Sequence, residues 1–375
     1  MIEKMRIGIT FQDPPWVSKG GAEVFAFEVA KRLSARGHDV TLIAAGKSGA
    51  EVRDGVKVVY TGMKVKTGIP AADCLLGSLM HFLTGHIGLG DFDVLYMHTG
   101  ILSKLLSSTP CVMHTWGEII GPSPVTLTRT SIDVATALTS DRIVAASKYA
   151  AEQYTRFAVF RDKVRQINPS IDTKIFRPVR PRIIEDYGLK GKKVIVFVGR
   201  VIPSKGAYDM IEIARLVTKE NKDTKFLLIG PGNDSFVASL KKRIQNLGMA
   251  ENFEFVGPVD NKDLPDYYSA ADLSILPSHF ETFGMVNLES QACGSPVIAY
   301  NVGGVFSTII NNKTGFLVKY GDYQGFADKI NLILCDAALR KRMGKAGIRR
   351  IGDKFVWEKN IAKLEKVFAE AIGSK

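Results

Sequence analysis

Cysteine is scarce in this chain of 375 residues, and none of it is arranged for metal binding. The four cysteines, Cys74, Cys111, Cys293 and Cys335, lie far apart and match no zinc-ligand spacing. Isolated cysteines in apolar surroundings are typical of buried thiols in a reducing compartment. The first residues lead directly into an apolar strand pattern, without a long apolar leader. We therefore expect a cytoplasmic protein.

Apolar runs long enough to cross a membrane are also lacking. The most apolar helical stretch, 71–90, is interrupted by Asp73 and by two histidines, and it is too broken to span a bilayer. We expect it to pack on a sheet. The alternative is an interfacial helix that reaches a lipid-linked acceptor, helped by the nearby Lys64 and Lys66. This alternative would allow the protein to contact the inner face of the membrane peripherally.

The G-x-G-x-x-G fingerprint of dinucleotide-binding enzymes is missing as well. Its nearest approach is Gly230-Pro231-Gly232, where Ser235 stands in place of the last glycine. This disfavours a dehydrogenase.

Basic tracts interleaved with aromatic residues are absent, although the net charge is +12 and the pI is about 9.4. Such a charge favours an anionic partner: a nucleic acid, a phosphorylated metabolite or an acidic membrane surface. The alternative is that the basic side chains are simply solvated on the surface and bind no anionic partner. Because binders of single-stranded nucleic acid need aromatic side chains among their cations, we expect no nucleic-acid partner.

The chain does contain two series of apolar runs separated by helix-length stretches, a pattern typical of α/β proteins with parallel sheets. Its length fits two domains. The runs of the first series are 5–10, 40–45, 56–60, 94–97, 111–114, 142–145 and 164–167. Those of the second are 194–199, 226–230, 253–256, 273–276, 296–299 and 315–318. We predict an α/β fold of two Rossmann-like parallel-sheet domains that face a cleft.

Domain limits follow from the breaks in this pattern. Proline and charge interrupt every periodicity in 176–182, which we interpret as the linker. We predict an N-terminal domain over 1–175 and a C-terminal domain over 176–352. The tail, 353–375, has apolar residues at helical steps, and we expect it to pack on the first domain.

Two glutamates, Glu281 and Glu289, stand eight positions apart after a short apolar strand. If Gly284 opens a helix, Glu281 lies in the loop before it and Glu289 projects from its second turn. Two carboxylates then approach one ligand from different depths. The crevice between strand and helix is where open parallel sheets hold ligands.

Cations and glycines occupy similar places after other strands. Arg200 and Lys205 follow a strand, and Gly206 permits a tight turn into the next helix. Both cations can neutralise a diphosphate, or they are simply exposed surface residues. Gly20 and Gly21 precede the first helix, where bare amides can face a phosphate, unless the pair is only a structural turn.

Histidines end two strands of the first series. His98 and His114 can each hydrogen-bond a hydroxyl or take up a proton, although a plain structural role is the common case for a lone histidine. Asp91-Phe92-Asp93 precedes its strand, so we interpret it as a turn. With no metal constellation in the sequence, the cations and a helix dipole must supply positive charge.

Taken together these motifs resemble the retaining glycosyltransferases of family 4, which have the GT-B fold and depend on nucleotide sugars. The resemblance runs nearly end to end. Its motifs are Gly20-Gly21-Ala22-Glu23, Gly37-His38-Asp39-Val40, Gly199-Arg200 with Lys205-Gly206, Glu281 through Glu289 with Gly294-Ser295-Pro296-Val297, and Phe355-Val356-Trp357-Glu358.

The resemblance implies a retaining hexosyltransferase that needs no metal or other cofactor. It also implies that the N-terminal domain, 1–175, binds the acceptor and that the C-terminal domain, 176–352, binds the nucleotide sugar. Glu281 would hold the hydroxyls of the donor sugar, Glu289 the ribose, and His114 would lie near the reacting centre. The residues implied to bind the donor diphosphate are Gly20, Gly21, Arg200, Lys205, Thr282, Phe283 and Gly284. The backbone near Val259 would contact the base.

Two regions depart from the family pattern. Asn168-Pro169-Ser170-Ile171-Asp172 replaces an Asn-Gly-Val-Asp-like turn, and 63–90 matches no assigned motif. The second departure leaves the acceptor open among sugar, lipid-linked and small-molecule acceptors. We expect transfer of a hexose-type sugar from a UDP- or GDP-linked donor. The alternatives are a nucleotide-sugar epimerase of similar architecture and a non-catalytic basic protein that binds polyanions or membranes.

Overall fold

The computed structural model describes residues 3–11, 14, 16, 21–44, 48–60, 91–98, 108–117 and 124–374, with the side chains of 124–130 not described. The sequence motif at Gly20 and the apolar stretch 71–90 lie outside these residues. The chain forms two compact units. The first unit comprises Met1–Pro169 and Trp357–Lys375, and the second comprises Ser170–Val356.

The first unit contains an eight-stranded sheet. Its strands are β1 (Arg6–Phe11), β2 (Asp39–Ala44), β3 (Gly49–Arg53), β4 (Val56–Tyr60), β5 (Val94–Met97), β6 (Cys111–Thr115), β7 (Arg142–Ala145) and β8 (Val164–Gln166). They lie in the order β3-β4-β2-β1-β5-β6-β7-β8, and every pair is parallel except β3 with β4. The direction of strand order reverses between β1 and β5, which is the topological switch point of this sheet.

The second unit contains a six-stranded, fully parallel sheet. Its strands are β9 (Lys193–Val198), β10 (Thr224–Ile229), β11 (Phe253–Gly257), β12 (Leu273–Leu276), β13 (Val297–Tyr300) and β14 (Gly315–Val318). They lie in the order β11-β10-β9-β12-β13-β14. This is the doubly wound Rossmann order, and its switch point lies between β9 and β12.

Helices connect most strands of both sheets. Those in the described residues are α1 (Gly21–Ala35), α2 (Pro124–Thr139), α3 (Lys148–Thr155), α4 (Ala207–Glu220), α5 (Asp234–Asn246), α6 (Leu264–Ala270), α7 (Met285–Ala292), α8 (Tyr323–Cys335), α9 (Ala337–Lys354) and α10 (Trp357–Ile372). Because helices cover parallel sheets, their strands read as apolar runs, as the buried β1 and β12 show. Within the described residues, no helix has the length and apolarity needed to cross a bilayer.

One strand has no counterpart among the predicted runs. β3 is polar and exposed, and it pairs antiparallel with β4 through the turn Asp54-Gly55. Both turn residues have positive φ, 47° and 77°, as the type I′ turn of a tight hairpin requires. The Asp-Gly pair was the available signal, since the strand itself lacks an apolar pattern.

The tail helix α10 packs on the first unit, as predicted. Trp357 stacks on Phe25 of α1 with ring centroids 5.4 Å apart, and Phe368 is fully buried against Tyr96. Glu365 of the same helix accepts hydrogen bonds from Arg36. The apolar residues spaced at helical steps therefore form the contact face.

The chain divides a few residues before the predicted linker. Ile171 and Phe176 are buried in a core cluster of the second unit together with Phe355, and the Ile171 amide donates to the carbonyl of Phe355 at 3.1 Å. These side chains tie 170–176 to the second unit despite the prolines that follow. The acceptor and donor roles of the two domains stay predictions.

Candidate active site

The switch point of the second unit brings together residues from the loops after β9 and β12. Lys205 follows β9, Glu281 follows β12, and the two strands are direct neighbours. The Lys205 Nζ donates to Glu281 Oε1 at 2.7 Å and to Oε2 at 2.9 Å. Both side chains keep a minor exposed fraction, 21% and 15%. The lysine and the glutamate named from the sequence are therefore in direct contact.

A glycine turn makes this contact possible. Gly206 has φ of +77°, and a Cβ at this position would lie 2.0 Å from the carbonyl oxygen of Pro277. Any other residue would push the Lys205 loop away from the loop after β12. Gly206 also precedes α4, so the turn sets where Lys205 stands relative to both elements.

The Glu281 loop is held by its neighbours through backbone contacts. The His279 amide donates to the Ser204 carbonyl at 3.0 Å, and the Gly304 amide donates to the Glu281 carbonyl at 2.8 Å. Gly303 has φ of +50°, and a Cβ there would lie 2.1 Å from the same Glu281 oxygen. The loop thus presents the Glu281 carboxylate from a fixed backbone.

A buried carboxylate that the sequence analysis did not single out also anchors this loop. Asp209, in the first turn of α4, is 5% exposed. Its Oδ1 lies 3.1 Å from His279 Nε2, within hydrogen-bond distance. Asp209 lies four residues after Lys205, beyond the left-handed Gly206 and in the first turn of α4. That spacing was a usable signal only once the start of α4 was known.

The helix α7 begins beside Glu281 without a side-chain cap. Its N-cap residue is Gly284, with φ of 88° and no side-chain hydrogen bond to the first turn. Phe283 is 1% exposed and packs in the core, which leaves its backbone as the part able to meet a ligand. Thr282 is partly buried in the same loop. Amides at an uncapped helix start are suited to an anion.

Glu289 lies farther along α7, in partly buried surroundings. Tyr268, a buried residue of α6, donates its hydroxyl to Glu289 Oε2 at 2.9 Å. Burial raises the pKa of Glu289 to about 7, and the hydrogen bond from Tyr268 opposes that rise. No pattern in the sequence pointed to Tyr268, because it comes from a separate helix.

Arg200 and Val259 flank this group at the carboxyl ends of β9 and β11. Arg200 is exposed, and among the described residues its guanidinium has no hydrogen-bond or ion-pair partner within 4 Å. Val259 is partly buried and packs against the core cluster beneath α6 and α7. The structure places both on the same edge of the sheet as Lys205.

The switch point of the first unit has a different character. Gly21 is the first, exposed residue of α1, whereas its partner Gly20 lies outside the described residues. His98 follows β5, and His114, 3% exposed, belongs to β6. Their rings stack with centroids 4.5 Å apart. The two histidines named from the sequence are therefore direct neighbours.

Burial keeps this histidine pair neutral. Desolvation lowers the pKa of His98 to about 3. Desolvation and then the neighbouring His98 hold the pKa of His114 well below its ordinary value. Tyr96 Oη lies 2.5 Å from His114 Nδ1. Phe25 and Trp116 complete the aromatic surroundings at 5.3 and 5.0 Å from the His114 ring.

Metal ligation has no support in the parts of the chain that the structure describes, where no group of three or more His, Cys, Asp or Glu side chains could hold an ion. Asp93 of the Asp91-Phe92-Asp93 turn instead pairs with Arg6 at 2.8 Å. It also accepts the Arg6 backbone amide at 2.7 Å. That pair lies at the amino ends of β1 and β5, opposite the switch point.

Cations, an uncapped helix start and carboxylates at the switch point of a doubly wound sheet are the features with which α/β proteins bind phosphorylated nucleotides. Two family models match this chain: "Glycosyltransferase Family 4" over residues 19–175 and "Glycosyl transferases group 1" over residues 179–350.

Curated relatives match over most of their length. The D-inositol 3-phosphate glycosyltransferase of Thermobispora bispora is 30% identical over 388 residues, which cover 94% of this chain and 90% of the relative. The protein of the same name from Jonesia denitrificans is 28% identical over 390 residues, covering 93% of this chain and 91% of the relative. The chain belongs to the family 4 glycosyltransferases, and it is a glycosyltransferase.

Solved structures agree with the fold. Sucrose-phosphate synthase from Thermosynechococcus elongatus has a TM-score of 0.84 at 22% identity, covering 99% of this chain and 100% of that one. HepE from Anabaena, solved in complex with UDP and glucose, has a TM-score of 0.78 at 20% identity, with 99% and 100% coverage. The predicted GT-B fold is confirmed.

Proposed function

We propose that this glycosyltransferase moves a hexose-type sugar from a UDP- or GDP-linked donor to an acceptor, with retention at the anomeric carbon and without a metal ion. The observation that carries the proposal is the contact of Lys205 with Glu281 beside the uncapped start of α7. One cation, one carboxylate and a set of helix amides lie together there, on the edge of the sheet where a nucleotide is expected.

The diphosphate leaving group is assigned to the cations and amides. Negative charge develops on the departing phosphate, and preorganised donors that face that charge lower the barrier. Lys205 and the exposed Arg200 supply two cations, and the Thr282, Phe283 and Gly284 segment supplies amides. In the first unit, the start of α1 at Gly20 and Gly21 is proposed to meet the same group.

The two glutamates are assigned to the two sugars of the donor. Glu281 accepts from hydroxyls of the transferred hexose, because its carboxylate is held by Lys205 and is partly exposed. Glu289 accepts from the ribose hydroxyls and is oriented for this by the Tyr268 hydroxyl. The backbone near Val259 contacts the base. Retention follows if the acceptor attacks on the face that the phosphate leaves, with that phosphate taking the proton.

The acceptor is proposed from the curated relatives. Since these are named D-inositol 3-phosphate glycosyltransferases, a phosphorylated cyclitol is the first acceptor to test. Other sugars and lipid-linked acceptors follow it in the panel. A cytoplasmic location and a peripheral membrane contact stay predictions from the sequence.

The donor is tested first by thermal stabilisation of the full chain with nucleoside diphosphates and nucleotide sugars. A ligand at 100 times its dissociation constant stabilises the protein by roughly 2.7 kcal/mol. We expect UDP or GDP and one of their sugars to raise the Tm, with the free sugars as negative controls. A chain that responds to none of them has no donor site of this kind.

Transfer is then measured with and without acceptor, and the anomeric configuration of the product is determined by NMR. Product of retained configuration that forms only with acceptor, and equally well in excess chelator, supports the proposal. Donor conversion without acceptor indicates the epimerase alternative. Salt-dependent binding to polyanions without donor affinity indicates a non-catalytic basic protein. Activity lost with chelator and restored by magnesium contradicts the metal-free mechanism.

A further inference from the structure

Tyr96 and His114 form a buried pair on adjacent strands of the first unit. Tyr96 in β5 is 1% exposed and His114 in β6 is 3% exposed. The two strands are parallel neighbours, with Tyr96 in register with Val112, two residues before His114. Tyr96 Oη lies 2.5 Å from His114 Nδ1. The contact is therefore made by two strand residues, whose positions the sheet itself determines.

The number of unpaired groups decides which ring nitrogen carries the proton. A neutral imidazole has one N–H and one acceptor nitrogen. If Nδ1 is the acceptor, the Tyr96 hydroxyl donates to it, and the Nε2–H is then the one group left without a partner. If Nδ1 carries the proton, it donates to Tyr96 Oη. The tyrosine proton and Nε2 are then both unpaired.

Each buried polar group left unpaired destabilises the folded chain, because it has lost its hydrogen bonds to water. The form protonated at Nε2 leaves fewer of them, and it is therefore favoured. Within the described residues no carboxylate acts on either side chain, since burial is the sole cause of the raised pKa of Tyr96. For His114 the causes are burial and His98 alone. Nothing in these surroundings stabilises a charged imidazolium.

The surrounding rings hold the His114 imidazole in place. His98 stacks on one face with an interplanar angle of 23°. Phe25 and Trp116 pack against the imidazole at 5.3 and 5.0 Å. The Nε2 atom is buried, and no described residue forms a hydrogen bond with it. A ligand oxygen that reaches this atom would satisfy it.

We propose that Tyr96 is a positioning residue which holds His114 as the neutral Nε2–H tautomer, so that His114 donates a hydrogen bond to a hydroxyl oxygen of a bound sugar and does not take a proton from it. The identity of that sugar as a substrate rests on the proposed function, whereas the tautomer does not. The sequence left two uses open for a strand-end histidine, a hydrogen bond to a hydroxyl and the uptake of a proton. This tautomer is suited to the first.

The tautomer is measured by 15N NMR on the full ligand-free chain labelled at histidine, with the His114 signals assigned by their loss in His114→Asn. We expect the Nδ1 shift of an unprotonated ring nitrogen and the Nε2 shift of a protonated one, both constant from pH 6 to 8. Protonation at Nδ1, or equal populations of the two forms, overturns the proposal. This result stands whether or not any glycosyl transfer is found.

The role of Tyr96 is tested with Tyr96→Phe, which removes only the hydroxyl. We expect the His114 signals to shift toward a mixture of tautomers and kcat/KM to fall about fivefold, the effect of one hydrogen bond. The matched control is Tyr154→Phe, at another fully buried tyrosine of the same unit whose hydroxyl contacts Thr115 instead. It should leave the His114 signals in place.

If the Tyr96→Phe variant folds but its His114 signals are unchanged, the proposal is overturned even if activity falls. The Tyr96 hydroxyl would then have only a structural role. If Tyr96→Phe does not fold, the wild-type spectrum alone decides. An Nε2–H tautomer in a protein without donor affinity would contradict the proposed function but not the tautomer assignment.

Discussion

The two sheets of this protein reverse strand order at equivalent places, yet the side chains at the two switch points differ in kind. In the second unit the point between β9 and β12 carries a lysine paired with a glutamate, both partly exposed. In the first unit the point between β1 and β5 borders two stacked histidines that burial keeps neutral. The topology determines where a ligand can bind, and the side chains determine its charge.

Solvent exposure explains the difference. Lys205 and Glu281 form an ion pair, and both side chains retain contact with water. His98 and His114 have lost that contact, and desolvation disfavours the charged form of a histidine. The charged switch point suits a diphosphate, and the neutral one suits hydroxyl groups.

Buried titratable groups in the two units make them respond to acid in opposite directions, because burial raises the pKa of a carboxylic acid and lowers that of a histidine. Glu289 in the second unit has a pKa of about 7, raised by burial, so its proton stabilises the folded chain as the pH falls from 7 toward 4.5. His98 in the first unit has a pKa of about 3, below its ordinary 6.5. Below pH 6.5 the histidine takes up a proton in the unfolded chain but not in the folded one, so the folded chain becomes less stable as the pH falls.

The comparison is tested most severely at Glu281. Glu281→Gln keeps the shape of the side chain but removes the charge that pairs with Lys205, and we expect kcat to fall by roughly 100-fold or more. The measurement is steady-state transfer with the donor found by thermal shift. Glu251→Gln, at an exposed glutamate of the same unit, is the control and should leave kcat unchanged. Equal kcat in both variants would remove Glu281 from the site.

Lys205→Met tests the cation. Removing a charge-assisted contact to the diphosphate should weaken binding of the nucleoside diphosphate by roughly 1.5 to 3 kcal/mol. Titration calorimetry at fixed ionic strength measures the change. Lys219→Met, at an exposed lysine near the end of α4, should bind as the wild type does. An unaltered Kd for Lys205→Met would mean that the diphosphate is neutralised elsewhere.

Glu289→Gln tests the acid response of the second unit. An amide carries no titrating proton, so the variant should lose the stability gained on going from pH 7.5 to pH 5, about 2 kcal/mol. Urea unfolding at the two pH values measures the difference. A pH dependence identical to that of the wild type would show that the Glu289 carboxyl is not raised in the folded chain.

His98→Phe tests the opposite response in the first unit. Phenylalanine keeps an aromatic ring at the stacking position and cannot take up a proton. The free energy of unfolding of the wild type should fall by about 2 kcal/mol between pH 7.5 and pH 5 because of His98, and the variant should not show this fall. The same unfolding measurements apply. If the variant instead became less stable relative to the wild type at pH 5, the neutral state assigned to the histidine pair would be wrong.

The sequence predicted the fold because buried parallel strands leave continuous apolar runs. Most of the predicted strands agree with the structure to within about two residues, as at 273–276 and 142–145. The exposed strand β3 was missed since only its Asp-Gly turn marks it. The predicted linker begins at Phe176, whereas the second unit begins at Ser170, because proline and charge do not reveal which side chains a core buries.

The sequence singled out Glu281 and Lys205 as candidate ligand-binding residues, but not the residues that contact the candidates. Glu281 and Lys205 stand just after strands, and strand ends meet at one edge of a parallel sheet, so position along the chain was sufficient. Tyr268, Asp209 and Tyr96 act on site residues from other elements. No spacing along the chain relates them to their partners.

The amino-acid sequence by itself determined the alternation of strands and helices, the amphipathic tail helix and the presence of carboxylates and cations after particular strands. These are local properties, since each depends on residues within one or two turns of one another. Only the tertiary structure decided that Lys205 pairs with Glu281, that Tyr96 faces His114, and that burial keeps the two histidines of the first unit neutral. Desolvation and hydrogen-bond partners arise from residues far apart in the chain, and no single segment encodes them.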